Sequence, residues 1–497
     1  MRSPLLAEAS RQEALAAFGA ALDAAADRSA GRAGDRTGSV VVSATIEVDR
    51  LDPCACVFAS RLAGDHWFCW SEPERGFELA ALGEVLEVSG RGPGRFGEIS
   101  RGCAEALAGA ELRGEEGPHW VGGFAFDDRG GRTSQWSSFP PGSMTLPEVS
   151  FMRRDERVWM TLNARLGGAA ARGSAGDGVD TAAGGGAATG VGAADVRARM
   201  AARLGTLREA PLGLLDPHPT ERARLVGSHP PERFERSVAD ALAEMAPAGA
   251  GGLRKVVLAR EVVVRGPSAH DAGAIFGALR EAFPSCFVFC RGTREGAFTG
   301  ASPELLVRRS GASAATVALA GSTRRSSDPA MDDHLGEQLL RSTKDRREQE
   351  IVARRIVKAL EPCSVWVEAA SEPSLARVAN IQHLATPILA QLAEPRSAIE
   401  LAGLLHPTPA VGGEPWPTAA AVIDRLEGID RGWYAGPVGW MDATDDGEFC
   451  VALRSALLRD RDAHLYAGVG VVPGSVPADE LAETELKLAA LLPLFDL

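Results

Sequence analysis

Residues 448–472 read EFCVALRSALLRDRDAHLYAGVGVV. Two runs rich in β-branched and aromatic residues, EFCVALRSALL and HLYAGVGVV, flank a charged break, which is the pattern of successive strands. If the first run alternates as one strand, Arg454 shares a face with Cys450, Ala452 and Ala456. Such small neighbours leave a guanidinium room to grip an anion through two parallel hydrogen bonds; a structural ion pair is the alternative. In the second run, Gly468 and Gly470 allow backbone to approach a planar ligand closely. With Gly474 they match neither dinucleotide nor P-loop spacing.

The same strand signature recurs in KVVLAREVVV, CFVFC, AFTGA, ATVALAG, SVWVEA and GPVGWMD, and earlier in SVVVSATIEV, HWFCW, WVGGFAFD and RVWMTLNA. Helices are expected at about 270–282, 332–360, 397–405, 417–427 and 478–492. Strands come in runs, with helices between only some of them. An α+β fold with large, mostly antiparallel sheets is therefore expected in place of strict βαβ alternation. Residues 167–196 are small and glycine-rich, too poor in apolar surface to order themselves, and a flexible excursion is expected there. It lies in an N-terminal portion, residues 1–225, which precedes a region of denser pattern, residues 226–497.

The totals exclude several functions. Lys+Arg number 53 against Asp+Glu 66, and the net charge of -13 opposes nucleic acid. Eight cysteines lack the paired C-x2-C and histidine spacing of a zinc site, so reduced core thiols are expected, as in a cytoplasmic protein. The opening MRSPLLAEASRQEALAAFGAAL carries acids and no continuous apolar run, so neither a signal peptide nor an anchor is expected, and no membrane partner.

Two helices carry acids where chemistry is possible. Glu480, Glu483 and Lys487 stack along one line of VPADELAETELKLAALLPLF. Asp345 and Glu348 extend the stripe of Val352, Ile356 and Leu360 toward the core, while Arg346, Arg347 and Glu350 face away. Two such acid pairs suit a hard divalent ion; ordinary i,i+4 ion pairs are the alternative. On the strand KVVLAREVVV, Lys255 shares a face with Val257, Ala259 and Glu261. There it is either a base with a lowered pKa or a snorkelling strand-end lysine. Glu304, after a Ser-Pro turn, is either a general acid with a raised pKa or a turn acid. His383 and His406 read by default as hydrogen-bonded core groups.

In chain order, KVVLAR, GASPELL, LAGSTRR, STKDRREQE, HLATP, LLHPTPAVGG, RGWYAGPVGW, GEFCVALRSA, LYAGVGVV and ELAETELKL resemble the motifs of chorismate-utilising enzymes, isochorismate synthases in particular. The resemblance spans about residues 230–495, and FCWSEPERGFELAALGEVLEV and GGFAFD extend it loosely into the N-terminal half. It implies two large sheets and their helices enclosing one deep site. By the same resemblance, Lys255 is the base that activates water for attack at C2 of chorismate, and Glu304 the acid that protonates the departing C4 hydroxyl. Glu348 and Glu483 would hold Mg2+, with Asp345 and Glu480 acting directly or through water. Arg454 would hold the enolpyruvyl carboxylate, with Gly321, His383, Ala410, Tyr434, Gly468 and Lys487 completing the substrate site.

Within the family, Ala320 stands where the aminodeoxychorismate branch has a nucleophilic lysine. Ala410 stands where anthranilate and salicylate synthases tend to carry threonine, which favours water addition without loss of pyruvate. Tyr434 points instead toward the salicylate-forming relatives. A salicylate synthase and a non-catalytic chorismate-binding subunit are thus the alternatives to a Mg2+-dependent isochorismate synthase. The product would feed menaquinone or siderophore synthesis, made by a monomer or weak homo-oligomer.

Overall fold

The computed structural model describes residues 8–31, 39–167, 180–182, 192–216, 221–228, 230–245, 252–378 and 381–495. Among these residues one sheet has 13 strands and a second has 11. Every pairing is antiparallel except that of Val40–Val48 with Glu111–Arg113. This is the expected α+β architecture. Residues up to 182 supply one end of each sheet and residues from 224 onward the other. The halves join where Phe287–Thr293 pairs with Trp67–Glu72, and where Pro437–Asp442 pairs with His119–Phe124. Both portions of the chain therefore share both sheets, and the expected boundary at 225/226 falls inside the strand Arg224–Ser228.

Alternation along the strands builds two cores. In Phe287–Thr293, Phe289 enters a cluster with Leu258, Phe298, Trp440 and Phe449, between the two sheets. Its neighbours Val288 and Cys290 point the other way, into a cluster with Phe18, Leu22 and Phe276 from the helices outside the larger sheet. All eight cysteines are buried and free. Among the described residues no helix is long and apolar enough to cross a membrane.

Three expectations change. The helix over 332–360 is two helices, Pro329–Arg341 and Thr343–Leu360. Ser342 breaks it by adopting an extended conformation, and its hydroxyl accepts from the Asp345 N–H as the cap of the second helix. The run EFCVALRSALL is likewise two strands, Gly447–Val451 in the smaller sheet and Ser455–Arg459 in the larger. Arg454 lies in the crossover between them at φ 46°, so it shares no strand face with Cys450, Ala452 and Ala456. Finally, within 167–196, Asp180–Ala182 form a short strand on Leu86–Ser89, and a helix starts at Ala193; residues 168–179 and 183–191 lie outside the described residues.

Candidate active site

Two neighbouring strands leave one sheet and enter the other at the same place. Gly296–Ser302 pairs with Ser455–Arg459 in the larger sheet, while Leu305–Ser310 pairs with Gly447–Val451 in the smaller. Glu304 occupies one crossover and Arg454 the other. They are tied by hydrogen bonds from Val451 N to Glu304 O at 3.0 Å and from Ala301 N to Arg454 O at 3.1 Å. Left-handed backbone at a non-glycine residue is costly and persists where the surroundings impose it, commonly at functional sites.

A cavity of about 110 Å³ opens at these crossovers. Glu304, Gly321, Asp345, Glu348, His383, Ala410, Tyr434, Arg454, Gly468, Glu480, Glu483 and Lys487 all line it. Of the residues expected from sequence, Lys255 alone stands behind the wall. Its side chain is fully buried and its Nζ is 2.8 Å from Glu348 Oε1. The approach brings charge to charge without hydrogen-bond alignment, so the ammonium protons lack an aligned acceptor. The expected setting of small and apolar neighbours thus gains a carboxylate.

Several glycines make this closeness possible. Lys255–Arg265 pairs with Asp462–Val471, placing Gly470 opposite Val257 and Gly468 opposite Ala259. A Cβ on Gly470 would stand 2.4 Å from Glu348 Oε1 and 2.9 Å from Lys255 Cε. Gly321, at φ 70°, forms the bulge between Ala320 and Ser322 that turns its carbonyl to His383 Nδ1, 3.2 Å away. That carbonyl only accepts, so Nδ1 carries the proton and Nε2 accepts from Arg454 Nη2 at 3.3 Å. Burial, then Arg454 and Lys487, pulls the His383 pKa down to about 3. A neutral His383 therefore orients Arg454.

Arg454 itself is 7% exposed, and among the described residues no carboxylate lies within 4.0 Å of it. A structural ion pair is thereby excluded, and the guanidinium is left for an anion. Burial lowers its pKa. Glu304 is 5% exposed, and burial raises its pKa to about 7 against the pull of Lys255 and a hydrogen bond from Thr408. Near neutral pH this carboxyl holds a proton to donate. Tyr434 stacks on Tyr466 with centroids 5.1 Å apart, and burial raises its pKa.

The four acids line one cavity without forming a closed cage. Among the described residues, the one trio of Asp, Glu, Cys or His ligand atoms within 4.8 Å of one another is Asp52, Cys54 and Glu78, which lie off this cavity. Each cavity acid has its own partner: Glu348 has Lys255, Glu480 has Lys344 at 2.8 Å, and Glu483 has Lys487 at 2.8 Å and Ser322 Oγ at 2.6 Å. Asp345 accepts from the Ser342 hydroxyl. Burial would raise Glu483, yet Lys487 and Ser322 hold it below the usual carboxylate range. Asp345 is raised, by burial and by the nearby Glu348 and Glu483. The donor set is all-oxygen, the kind a hard divalent cation takes, and the lysines beside Glu348, Glu480 and Glu483 stand where such an ion's charge would compete with theirs. The residues present fit Mg2+.

Sequence reasoning missed Lys344, Ser322, Thr408 and Arg431, and it read Gly470 as room for a ligand where the structure uses it as room for Glu348 and Lys255. Arg431 lines the cavity and donates to Val257 O at 2.9 Å, Val411 O at 2.8 Å and the Glu427 carboxylate. Glu427 in turn accepts from Ala259 N at 2.6 Å. The buried pair thus fastens the Lys255 strand to the loop bearing Ala410. A buried arginine four residues after a glutamate was the available signal. His406 lies off the site, with its Nε2 on Phe126 O at 3.0 Å.

The family model described as chorismate binding enzyme matches residues 26–175 and 193–496. The chain is 38% identical over 453 residues to the salicylate biosynthesis isochorismate synthase of Pseudomonas aeruginosa, covering 91% of this chain and 89% of that one. It is 29% identical over 468 residues to the isochorismate synthase MenF of Bacillus subtilis, covering 91% and 93%. Its fold matches the menaquinone-specific isochorismate synthase MenF from Escherichia coli with a TM-score of 0.73 at 24% identity, over 96% of this chain and all of that one. By sequence along nearly its whole length, and by fold, this chain belongs to the family of chorismate binding enzymes.

Proposed function

We propose that the protein is an isochorismate synthase, converting chorismate to isochorismate. The observation that carries this reading is the pairing at the two crossovers of a buried, protonatable Glu304 with an arginine that has no carboxylate partner among the described residues. Chorismate is a dianion with a hydroxyl to expel, and it needs both groups. One water adds at C2 and one leaves from C4 while the ring double bonds shift, so the formula is unchanged. Hydroxide is a poor leaving group, and Glu304 donates its proton to the C4 oxygen as that bond breaks. Lys255, across the cavity wall, takes a proton from the incoming water, and proton exchange with solvent restores both groups. Arg454, oriented by His383, binds the enolpyruvyl carboxylate, and Lys487 and the Gly468 backbone flank the ring. Glu348 and Glu483, with Asp345 and Glu480, would hold Mg2+, which when bound supplies positive charge for the C1 carboxylate among acids that would otherwise repel it.

The free buried thiols suit a reducing compartment, and we place the enzyme in the cytoplasm. The test is NMR analysis of chorismate incubated with the protein and Mg2+. Isochorismate with no release of pyruvate is expected. Salicylate and pyruvate as first products would replace the proposal with the salicylate synthase reading, and no turnover would leave a non-catalytic binding subunit.

A further inference from the structure

Arg431 also forms part of the wall of a second cavity, of about 610 Å³, within the roughly 300–1,000 Å³ of small-ligand sites. Aromatic rings form one side. Phe126 meets Trp416 edge-on at 5.8 Å and 90°, and His406 at 5.8 Å and 87°. The other side is the start of the helix Arg95–Leu107, whose cap residue, Gly94, offers no side-chain hydrogen bond. Arg95, its first residue, is 4% exposed. Its guanidinium donates to the carbonyls of Gly92 at 3.3 Å and Ala125 at 3.1 Å, and its Nε has no partner. Among the described residues no carboxylate lies within 4.0 Å of it.

The other charges around the cavity are largely committed. Asp127 is held by Arg129, Asp424 by Arg129 and Arg132, and Glu427 by Arg431. Asp430 accepts from the N–H groups of Arg132 and Thr133. Asp128 and Asp127, both half-buried, act on Arg95 from beyond ion-pair distance. Burial lowers the Arg95 pKa to about 10, which keeps it charged at neutral pH. A buried cation beside the positive end of a helix is stabilised by an anion.

We propose that this cavity binds a small carboxylate with a planar ring, its carboxylate at Arg95 and the helix start, its ring among Phe126, Trp416 and His406. The cavity adjoins the catalytic one at Arg431, whose Cζ lies 4.1 Å over the Phe126 ring while its Nη atoms hold the Val257 and Val411 carbonyls.

Benzoate is the probe, titrated by calorimetry and tryptophan fluorescence without chorismate or metal. Saturable binding is expected, weaker by at least about ten-fold for phenol, which lacks the carboxylate, and for acetate, which lacks the ring. Arg95→Gln should weaken benzoate to a similar degree. Ala420→Phe, which adds a ring to the wall of this cavity, should abolish binding while leaving turnover within about two-fold. Arg454→Gln, in the catalytic cavity, should leave benzoate binding unchanged. Absence of saturable binding overturns the proposal. So does binding that survives Ala420→Phe but is lost in Arg454→Gln, since benzoate would then occupy the catalytic cavity. Because the readout uses no chorismate, failure here leaves the isochorismate synthase reading standing.

Discussion

Lys255 Nζ and Glu348 Oε1 stand 2.8 Å apart, so the group assigned to take a proton and a group assigned to hold the metal are in direct contact. The contact depends on Gly470, whose missing side chain leaves space for both. Gly470→Ala should therefore push the pair apart. A shift of about 1 Å at a reacting group costs roughly 10²-fold in rate, and a loss of that order in kcat/KM is expected with the fold intact by circular dichroism. Gly468→Ala meets the Tyr434 hydroxyl at 3.1 Å and Ala259 Cβ and Leu258 O at 3.4 Å, looser contacts than those at Gly470, and should cost less. Equal activity of Gly470→Ala and wild type would remove the assigned contact from the mechanism.

With Glu304 as the proposed proton donor, its raised pKa should set the upper limb of the pH profile. Its folded pKa is about 7 against an ordinary 4.5, raised by burial. As a proton donor it works below about pH 7 and fails above, so kcat/KM should fall as pH rises through that value. The stability sign follows from the same shift. Between the two pKa values the native state binds more protons than the unfolded one, so stability is fully present below about 4.5 and declines as pH rises through about 7. Glu304→Gln removes that decline. The variant should be inactive yet more stable at pH 8, by about 3.5 kcal/mol at about 1.4 kcal/mol per pKa unit, measured by urea denaturation. A variant less stable than wild type at pH 8 would contradict a buried, proton-holding Glu304.

Metal affinity should respond in opposite directions to neighbouring substitutions. Glu348→Gln and Glu483→Gln each remove an oxygen donor and a negative charge, and should weaken Mg2+ binding by about 10–100-fold. Lys344→Gln frees Glu480 from its ammonium partner and should tighten binding by a few-fold. Calorimetric titration with Mg2+ alone reads all three without any turnover. Identical Mg2+ affinity across the set would show that these acids hold no metal.

Spacing along a single element grouped five of the residues that line the cavity, and the family resemblance put them in one site. Glu480, Glu483 and Lys487 follow from helical period alone, as do Asp345 and Glu348, and each lines the cavity. What sequence concealed depends on partners far along the chain. EFCVALRSALL alternates without interruption, and alternation fixes a face only while a strand stays in one sheet. Its break at Ala452–Arg454 is set by pairing with Gly300 on one side and Leu305 on the other. The Ser342 break escaped notice because residues 341–350, RSTKDRREQE, hold no apolar side chain whose spacing could mark where one helix ends and the next begins. Lys344 and Glu480 are 136 positions apart, so no local pattern could join them.

If Arg454 holds the substrate carboxylate as proposed, it does so as a planar fork, and charge alone should not replace it. Arg454→Lys keeps the charge and loses the two-bond geometry, so KM for chorismate should rise by about ten-fold or more. Arg454→Gln loses both and should cost more. His383→Asn, which removes the acceptor behind Arg454, should raise KM less than either while kcat changes little. Steady-state kinetics over a chorismate series separates the terms. A fall in kcat alone in Arg454→Lys would place this residue elsewhere than on the bound carboxylate.

Arg431 and Glu427 form a pair whose side chains are both almost wholly buried. Breaking one partner of such a pair strands a charge and costs about 3–5 kcal/mol, whereas replacing both with apolar groups is often close to neutral. Glu427→Gln and Arg431→Met should each lower the urea midpoint strongly. In the double variant Arg431→Met, Glu427→Leu, part of that loss should return. Recovery should be incomplete, because Arg431 also satisfies the Val257 and Val411 carbonyls, which no apolar side chain can replace. The residual deficit should appear as activity as well as stability, since those carbonyls belong to the Lys255 strand and to the loop carrying Ala410. Simple additivity of the two single losses would mean that Arg431 and Glu427 act independently, and that the strand and the loop are fixed by other contacts.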